Sequence, residues 1–519
     1  MRHAEEGKMK GLASFLSGSA ILVLTLIIVG LAVGAHFITA IATQSYEYWE
    51  GKVIFLQDHP LYSMLATGIM MMILLAALYI ARLRVGRIKI LHIMLGIWTA
   101  VSVFWIWGVG MEPRSDPKWV VEAANAFAAG DYSVLRDTTY FSDFTFQMGI
   151  CLLMEIIKRI FPVGDLVVVV QILNVFWTLL AMRALDLLVR LLTGNEKGGE
   201  AVYVICCLFL PAVLFCTYTY GTVPMVAISA WAMLFFVRFL RNEKMRDGLC
   251  FSVLVGLAVM AKPNAAIVVI ASVIIAVLHA LCTRRVYVLL YAGLGVVCSV
   301  AFPELAVWQY ELRSGVELGE GLSMLAYLVV GLMEGKMAPG WFSTYAVPFS
   351  PSAMPAHEAQ AIIISDLMER LAEFAADPGM CWTFMKEKFI SIWLEPTHTT
   401  LHNGVISNLS GRYNGLGCLV YREDGILYQI LPWIMDAWQQ AMYALAAIGS
   451  ICTFRRHRDV AQALLPTVLL GGILYHQLFE ASSMYTHAYM FFFSLLAAQG
   501  LTALGKAADG TAGKIRKTS

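Results

Sequence analysis

Apolar runs of about 20 residues recur along the chain, and short polar turns separate them. A helix that crosses a hydrocarbon layer about 30 Å thick needs roughly that length. Twelve runs meet the pattern, near 19–42, 61–81, 90–110, 165–189, 201–219, 224–240, 248–261, 264–281, 286–308, 430–452, 461–480 and 484–504. The expected fold is therefore an all-α polytopic membrane protein with about twelve transmembrane helices. The first run is long and has no small-residue cleavage site, so it reads as a retained span rather than a signal peptide.

Between these runs the chain is polar in two long stretches, 111–164 and 309–429. Within the first, 143–161 has helical periodicity. Ile150, Leu153, Met154, Ile157 and Ile160 fall on one side, and Glu155, Lys158 and Arg159 gather on another. That pattern predicts an amphipathic helix lying in the interface; a short tilted span is the alternative. In the second stretch, 356–376 predicts a helix ended by Pro378, and 382–394 predicts an amphipathic helix bearing Lys386 and Lys388. No repeat with a fixed period is present. A transporter built from inverted repeats would show matched halves.

Charge adds direction. Lys and Arg collect in alternate connections: Arg82, Arg84, Arg87 and Lys89; Arg190 and Lys197; Arg238, Arg241, Lys244 and Arg246; Arg284 and Arg285; Arg455, Arg456 and Arg458. The two tails are also basic. The opposite short turns hold only Lys52 and Lys262. Under the positive-inside rule both termini are cytoplasmic and the two polar stretches face outward, provided 143–161 does not cross. Tyr46, Tyr48, Trp49, Trp341, Trp393 and Trp433 fall near expected outer boundaries, where interfacial anchoring accounts for them.

Composition narrows the class further. Of 519 residues, 59% are hydrophobic and 14% charged, with mean hydropathy +0.70 and net charge +1. Soluble domains carry roughly 25% charge, so neither a disordered chain nor an ordinary soluble enzyme fits. Nothing basic points to nucleic acid. The ten cysteines lie mostly in apolar runs without metal-ligand spacing; Cys381 and Cys418 share one outward stretch, and their pairing is left open. His398 and His402 are four apart, which on a helix would suit zinc, but their Thr-rich setting before Asn403-Gly404 favours a turn. No metal is assigned.

Candidate chemistry gathers at outward turns. The first polar stretch opens Glu112-Pro-Arg114-Ser-Asp116-Pro-Lys118-Trp119, and Asp116 suits a helix N-cap as readily as a catalytic acid. Tyr140-Phe-Ser-Asp143-Phe-Thr-Phe-Gln147 opens the interfacial helix, where Asp143 suits a second acid or a cap. Lys262, in Gly256-Leu-Ala-Val-Met-Ala-Lys262-Pro-Asn264, stands where positive charge is otherwise excluded. It is either a functional group or a snorkelling side chain. Glu480, Tyr485 and His487 follow at another outward turn.

This ordered set resembles the GT-C superfamily of polyprenyl-phosphate-sugar-dependent glycosyltransferases. It is most similar to the bacterial protein-mannosyltransferase-like and lipid A aminoarabinose transferase-like branch. The resemblance covers about 90–310, with a looser match at Glu480-Ala-Ser-Ser-Met-Tyr485-Thr-His487. It implies a GT-C-type architecture with two outward-facing segments, in a bacterial plasma membrane, with the active site outside. It divides the chain into a two-helix extension (1–88), a GT-C-like module (89–310), an outer region (311–429) and C-terminal helices with a basic tail (430–519). It also implies an inverting transfer of a sugar from the lipid phosphate to a protein, glycan or lipid acceptor. Asp116 would be the catalytic base, and Lys262, Arg114 and Lys118 would meet the donor phosphate. Tyr140, Asp143, Gln147, Glu480, Tyr485 and His487 would line the substrate site. The chain departs from the family where Pro117 replaces a second acid, where Asp143 replaces a basic residue, and where Tyr220-Gly-Thr-Val-Pro224 lacks an acid. Members differ in metal dependence, so a divalent ion is not implied. Two other classes stay open: a transporter or flippase for a lipid-linked substrate, for which Arg183, Asp186, Pro211 and Pro466 would be the marks, and a membrane scaffold.

Overall fold

The computed structural model describes residues 2–44, 51–407, 415–422, 425–457 and 459–518. Tyr46, Tyr48, Trp49 and Arg458 lie outside the described residues. The protein is 79% helical with almost no sheet. All twelve expected runs contain helix, but fewer pass as spans by length and composition. Eight helices do: Met9–Gly34, Pro60–Arg82, Ile90–Val109, Leu166–Thr193, Thr222–Asn242, Pro263–Thr283, Tyr287–Ser314 and Ser483–Ala507. A ninth is the pair Glu196–Cys207 and Leu210–Thr217, bent by 67° at the break before Pro211. A proline there removes a backbone donor and cannot continue the preceding helix. The other three expected spans fall short for local reasons. Met245–Ala261 has 17 residues and Leu464–Leu478 has 15, while Ile426–Arg455 carries Asp436, Gln439 and Gln440 among its buried residues.

The helices form a bundle with an inside and an outside. Thr222–Asn242 and Ser483–Ala507 run through the middle, buried along most of their length. Pro60–Arg82, Ile90–Val109 and Tyr287–Ser314 lie at the rim. Their outer faces expose Leu65, Ile97, Trp107, Leu290 and Val297. Apolar exposure on this scale suits lipid as the surrounding solvent. The N-terminal helix is part of the bundle: Thr25 Oγ1 meets Ser450 Oγ at 2.6 Å.

One end of the bundle is rich in ion pairs. Arg82 and Lys89 both reach Glu200, at 2.9 and 3.0 Å. Arg241 pairs with Asp459 at 3.1 Å. Buried Asp186 receives Arg183 at 2.6 Å and also Arg190. The charges that would mark a transport path are thus satisfied locally.

The other end carries the polar stretches. Helices Asp116–Ala128 and Met148–Ile160 share a small core built on Val120, Phe127, Phe141, Ile150 and Met154. Of the charged side of Met148–Ile160, Glu155 is turned into the protein, while Arg159 stays partly solvated. Glu155, 2% exposed at its side chain, accepts from Arg313 Nη2 at 2.5 Å, Tyr310 Oη at 2.5 Å and Arg159 at 2.7 Å. A carboxylate taken from water must find such partners. The second stretch supplies helices Ala356–Ala376 and Pro378–Trp393. Cys381 there is a thiol in a small apolar cluster with Leu332, Phe374 and Phe384.

Two features differ from expectation. Ile38–Gln44 and Gly51–Gln57 form an antiparallel hairpin where the first span was expected to continue. It docks on the second stretch through Ala40 N to Leu394 O at 2.9 Å and Val53 N to Met337 O at 3.0 Å. Trp341 and Trp393, expected at the lipid interface, are buried inside the protein instead. Trp341 Nε1 donates to Ser391 Oγ at 2.9 Å.

Candidate active site

Helix Ile90–Val109 ends at Gly110 with a left-handed backbone, and the chain crosses to Ser115, whose φ is 54°. Ser115, not Asp116, is the N-cap residue. Asp116 is the first helical residue, followed by Pro117, and the Ser115 side chain makes no capping bond. Buried amides fix the approach. Gln171 Nε2 donates to Met111 O at 2.9 Å and Thr217 O at 3.1 Å. Asn174 Nδ2 donates to Cys216 O at 3.1 Å and Tyr218 O at 2.9 Å. One helix, Leu166–Thr193, thereby holds both the first loop and the turn at 216–220.

Two glycines bring further backbone close. A Cβ at Gly149 would collide with the Met260 carbonyl, and one at Gly221 with the Ala261 carbonyl. The interfacial helix and the 218–222 turn therefore press directly on the strand of chain that carries Lys262. Lys262 ends helix Met245–Ala261 in an extended conformation.

These elements enclose a cavity of about 940 Å³. Such a volume lies at the upper end of small-molecule sites. Arg114, Asp116, Asp143, Gln147, Lys262, Glu480 and Tyr485 all line it. The Lys262 ammonium sits 4.3 Å from the Tyr220 ring centroid and 5.4 Å from that of Tyr485, a cation–π cradle. Gln147 Nε2 donates to the Tyr220 hydroxyl and steadies that ring.

The charges perturb one another. Burial raises the pKa of Asp116, while Tyr140 and the Lys262 charge oppose the rise. The Tyr140 hydroxyl faces this carboxylate without meeting the geometry of a formed hydrogen bond. Lys262, 8% exposed, is pushed down to about 8 by burial, against the pull of Asp116 and Glu480. Glu480 is pushed up to about 7 by burial and by Asp116, while Lys388 and Lys262 hold it down. A carboxylate and an ammonium poised near neutrality in a concave site can exchange and neutralise protons and anions.

The remaining expected residues separate. Tyr140 lies behind Asp116, stacked on Trp119 at 5.6 Å, and is not part of the cavity lining. Asp143 caps nothing; the Ser350 hydroxyl donates to it, tying the first polar stretch to the second. Lys118 is turned to the surface, 3.7 Å from Glu122. His487 lies outside the cavity, stacked on Phe215 at 4.0 Å and buried. Two positions on a helix differ by about 200°, so Tyr485 and His487 face opposite ways. His398 stands in the expected turn, whereas His402 lies in helix Thr400–Ser407; no group of three or more metal-ligating side chains occurs among the described residues.

Sequence reasoning missed Lys388. Its ammonium is fully buried and donates to Gly331 O at 2.5 Å and Phe479 O at 2.8 Å. It thereby fixes the backbone leading into Glu480, whose own N–H donates to Tyr327 O at 2.8 Å. Periodicity alone did not separate Lys388 from its exposed neighbour Lys386.

Residues 148–308 match the family model described as dolichyl-phosphate-mannose-protein mannosyltransferase. The matched range contains Lys262 and Tyr220, while Asp116 and Glu480 lie outside it. No curated protein matches the chain. The stretch 148–308 is a GT-C superfamily domain, and the chain that carries it is an integral membrane glycosyltransferase of GT-C type.

Proposed function

We propose that the protein transfers a sugar from a polyprenyl-phosphate carrier to an acceptor on the extracytoplasmic side, with inversion at the anomeric carbon. The observation that carries this reading is the meeting of Asp116 and Lys262, 146 positions apart in sequence (262 − 116), in one cavity at the end of the bundle away from the basic connections. The positive-inside rule makes that end extracytoplasmic. The matched family's description names a dolichyl-phosphate-mannose donor, and a lipid phosphate bearing a hexose suits a site with one ammonium and one carboxylate.

In this mechanism the acceptor's nucleophilic atom attacks the anomeric carbon from the face opposite the phosphate. Its proton passes to the Asp116 carboxylate. The bond from anomeric carbon to phosphate oxygen breaks, and the electron pair leaves with the lipid phosphate. Lys262 offsets the charge that develops there, aided by Arg114. Burial makes Asp116 a stronger base than an exposed aspartate. Glu480 and Tyr485 border the headgroup, Asp143 and Gln147 the loop above it, and Tyr140 positions Asp116 from behind.

Purified protein given labelled polyprenyl-phosphate mannose and an acceptor preparation tests the proposal. Asp116→Asn should lower the transfer rate by about 10²- to 10⁴-fold, the usual worth of a general base, with lipid binding retained. Full transfer by folded Asp116→Asn protein would refute the assignment.

A further inference from the structure

At the end of the bundle rich in ion pairs, a second cavity of about 380 Å³ opens between helices Leu166–Thr193, Ile426–Arg455, Leu464–Leu478 and Ser483–Ala507. It shares no lining residue with the candidate active site. Its size is that of a small-molecule site.

The polar atoms around this cavity divide unevenly, because those that accept are already engaged. Gln499 Oε1 takes the Thr453 hydroxyl at 3.1 Å. The Thr193 hydroxyl donates to Val189 O at 2.6 Å and accepts from Asn195 N at 3.1 Å. Leu191 O accepts from Arg241 Nη1, and Leu192 O from Gln462 Nε2 at 3.4 Å. The groups left open are donors. Arg456 lines the cavity, is exposed, and pairs with no carboxylate among the described residues. The Gln499 amide nitrogen lines it too, and among the described residues it is neither bonded nor shut away from solvent.

The electrostatic balance has the same sign. Leu166–Thr193 and Ile426–Arg455 both end here, and a helix C-terminus repels an anion with roughly half a charge. The last carbonyls of the first are covered by Arg241 and Gln462, and the second closes on Arg455 and Arg456. Leu465 and Pro466 bring the positive first turn of Leu464–Leu478 to the lining. Asp459, the one acid between Arg456 and Leu464, is spent on Arg241 at 3.1 Å. A phosphate ester offers oxygens that accept and a charge that Arg456 offsets. The rest of the lining is apolar: Leu192, Leu465, Pro466, Leu495 and Leu496. Ile451 and Phe454 are exposed on the last turns of Ile426–Arg455, so lipid borders this corner of the bundle. Basic pockets between spans on the cytoplasmic side suit lipid phosphates.

We infer that Arg456 and Gln499 form a phosphate-binding site at the end of the bundle opposite the candidate active site. The phosphate belongs to an anionic lipid of that leaflet or to a soluble phosphate ester. The site does not depend on the glycosyl-transfer reading, and its occupant ties four helix ends together.

The test uses the full chain in detergent, titrated with dioleoylphosphatidylglycerol, with dioleoylglycerol (similar chains, no phosphate) and with glycerol 3-phosphate. Thermal unfolding at rising ligand concentration gives the affinity. A lipid site is stabilised by phosphatidylglycerol and not by the other two probes. A soluble-ester site is stabilised by glycerol 3-phosphate as well. In either case Arg456→Gln should weaken binding about tenfold or more, the worth of a charge-assisted hydrogen bond. Gln499→Glu keeps an oxygen for Thr453 and sets a carboxylate before the phosphate, so it should weaken binding at least as much. Arg455→Gln, whose side chain is exposed outside the lining, should bind as wild type. Equal stabilisation by dioleoylglycerol, no stabilisation by either phosphate probe, unchanged binding in Arg456→Gln, or equal weakening in Arg455→Gln each overturns the inference.

Discussion

Replacing Lys262 by arginine should remove one limb of the enzyme's pH profile. Lys262 is held near pKa 8 because burial between Tyr220 and Tyr485 costs the ammonium more than Asp116 and Glu480 return. Transfer needs this group charged, since its role is to offset the departing phosphate. At pH 7 about nine-tenths of the free enzyme carries the ammonium, and at pH 9 about one-tenth does. The wild-type kcat/KM should therefore fall about tenfold between those values. The limb should shift to higher pH in kcat, because a bound lipid phosphate favours the charged lysine. A guanidinium stays protonated throughout this range, so Lys262→Arg should show a flat alkaline side, whatever its absolute rate. The acid limb should survive in both proteins and lie above the ordinary aspartate range, since burial raises Asp116. The assay is initial release of labelled sugar from polyprenyl-phosphate mannose between pH 5 and pH 10. An alkaline limb of equal size in Lys262→Arg would show that another group titrates, and would refute the role given to Lys262.

Three further outcomes follow from the packing. Glu155→Ala should lower stability by about 2–3 kcal/mol, below the full cost of breaking a buried pair because Arg159 and Arg313 stay partly solvated; thermal unfolding in detergent reads this. Lys388→Met should leave the Gly331 and Phe479 carbonyls without their donor, costing about 1–3 kcal/mol for each, and should move Glu480 further up by removing a neighbouring cation; unfolding and pH titration of turnover measure the two effects. Gly221→Ala should push the Ala261 carbonyl and with it Lys262, lowering kcat/KM more than it lowers thermal stability.

Hydropathy located the bundle because apolar length is a local property, which the chain states directly. It also marks three runs that fall short of a full span by length and composition. A run average passes over Asp436, Gln439 and Gln440, which the fold accommodates inside the protein: Gln440 Nε2 bonds Asp436 at 2.6 Å, and Thr67 donates to Gln440 at 2.6 Å. The paired strands Ile38–Gln44 and Gly51–Gln57 escaped because Ile38, Ile41 and Ala42 extend the first apolar run, and hydropathy cannot distinguish a short buried strand from more helix.

The site was legible in proportion to how much of each residue's setting lies nearby in sequence. Lys262 stood out because a lone cation at an otherwise uncharged turn breaks a rule that operates turn by turn. Asp116 was visible by its place just past the end of a helix. Glu155 misled because its neighbours Lys158 and Arg159 suggested a solvated face, whereas the partner that buries it, Arg313, is 158 residues away. Lys388 carries no local mark at all. It acquires meaning only from groups brought in by other parts of the fold, the carbonyls of Gly331 and Phe479. Buried polar groups are the places where distant sequence is forced to meet, because a polar atom removed from water must be satisfied by whatever the fold delivers.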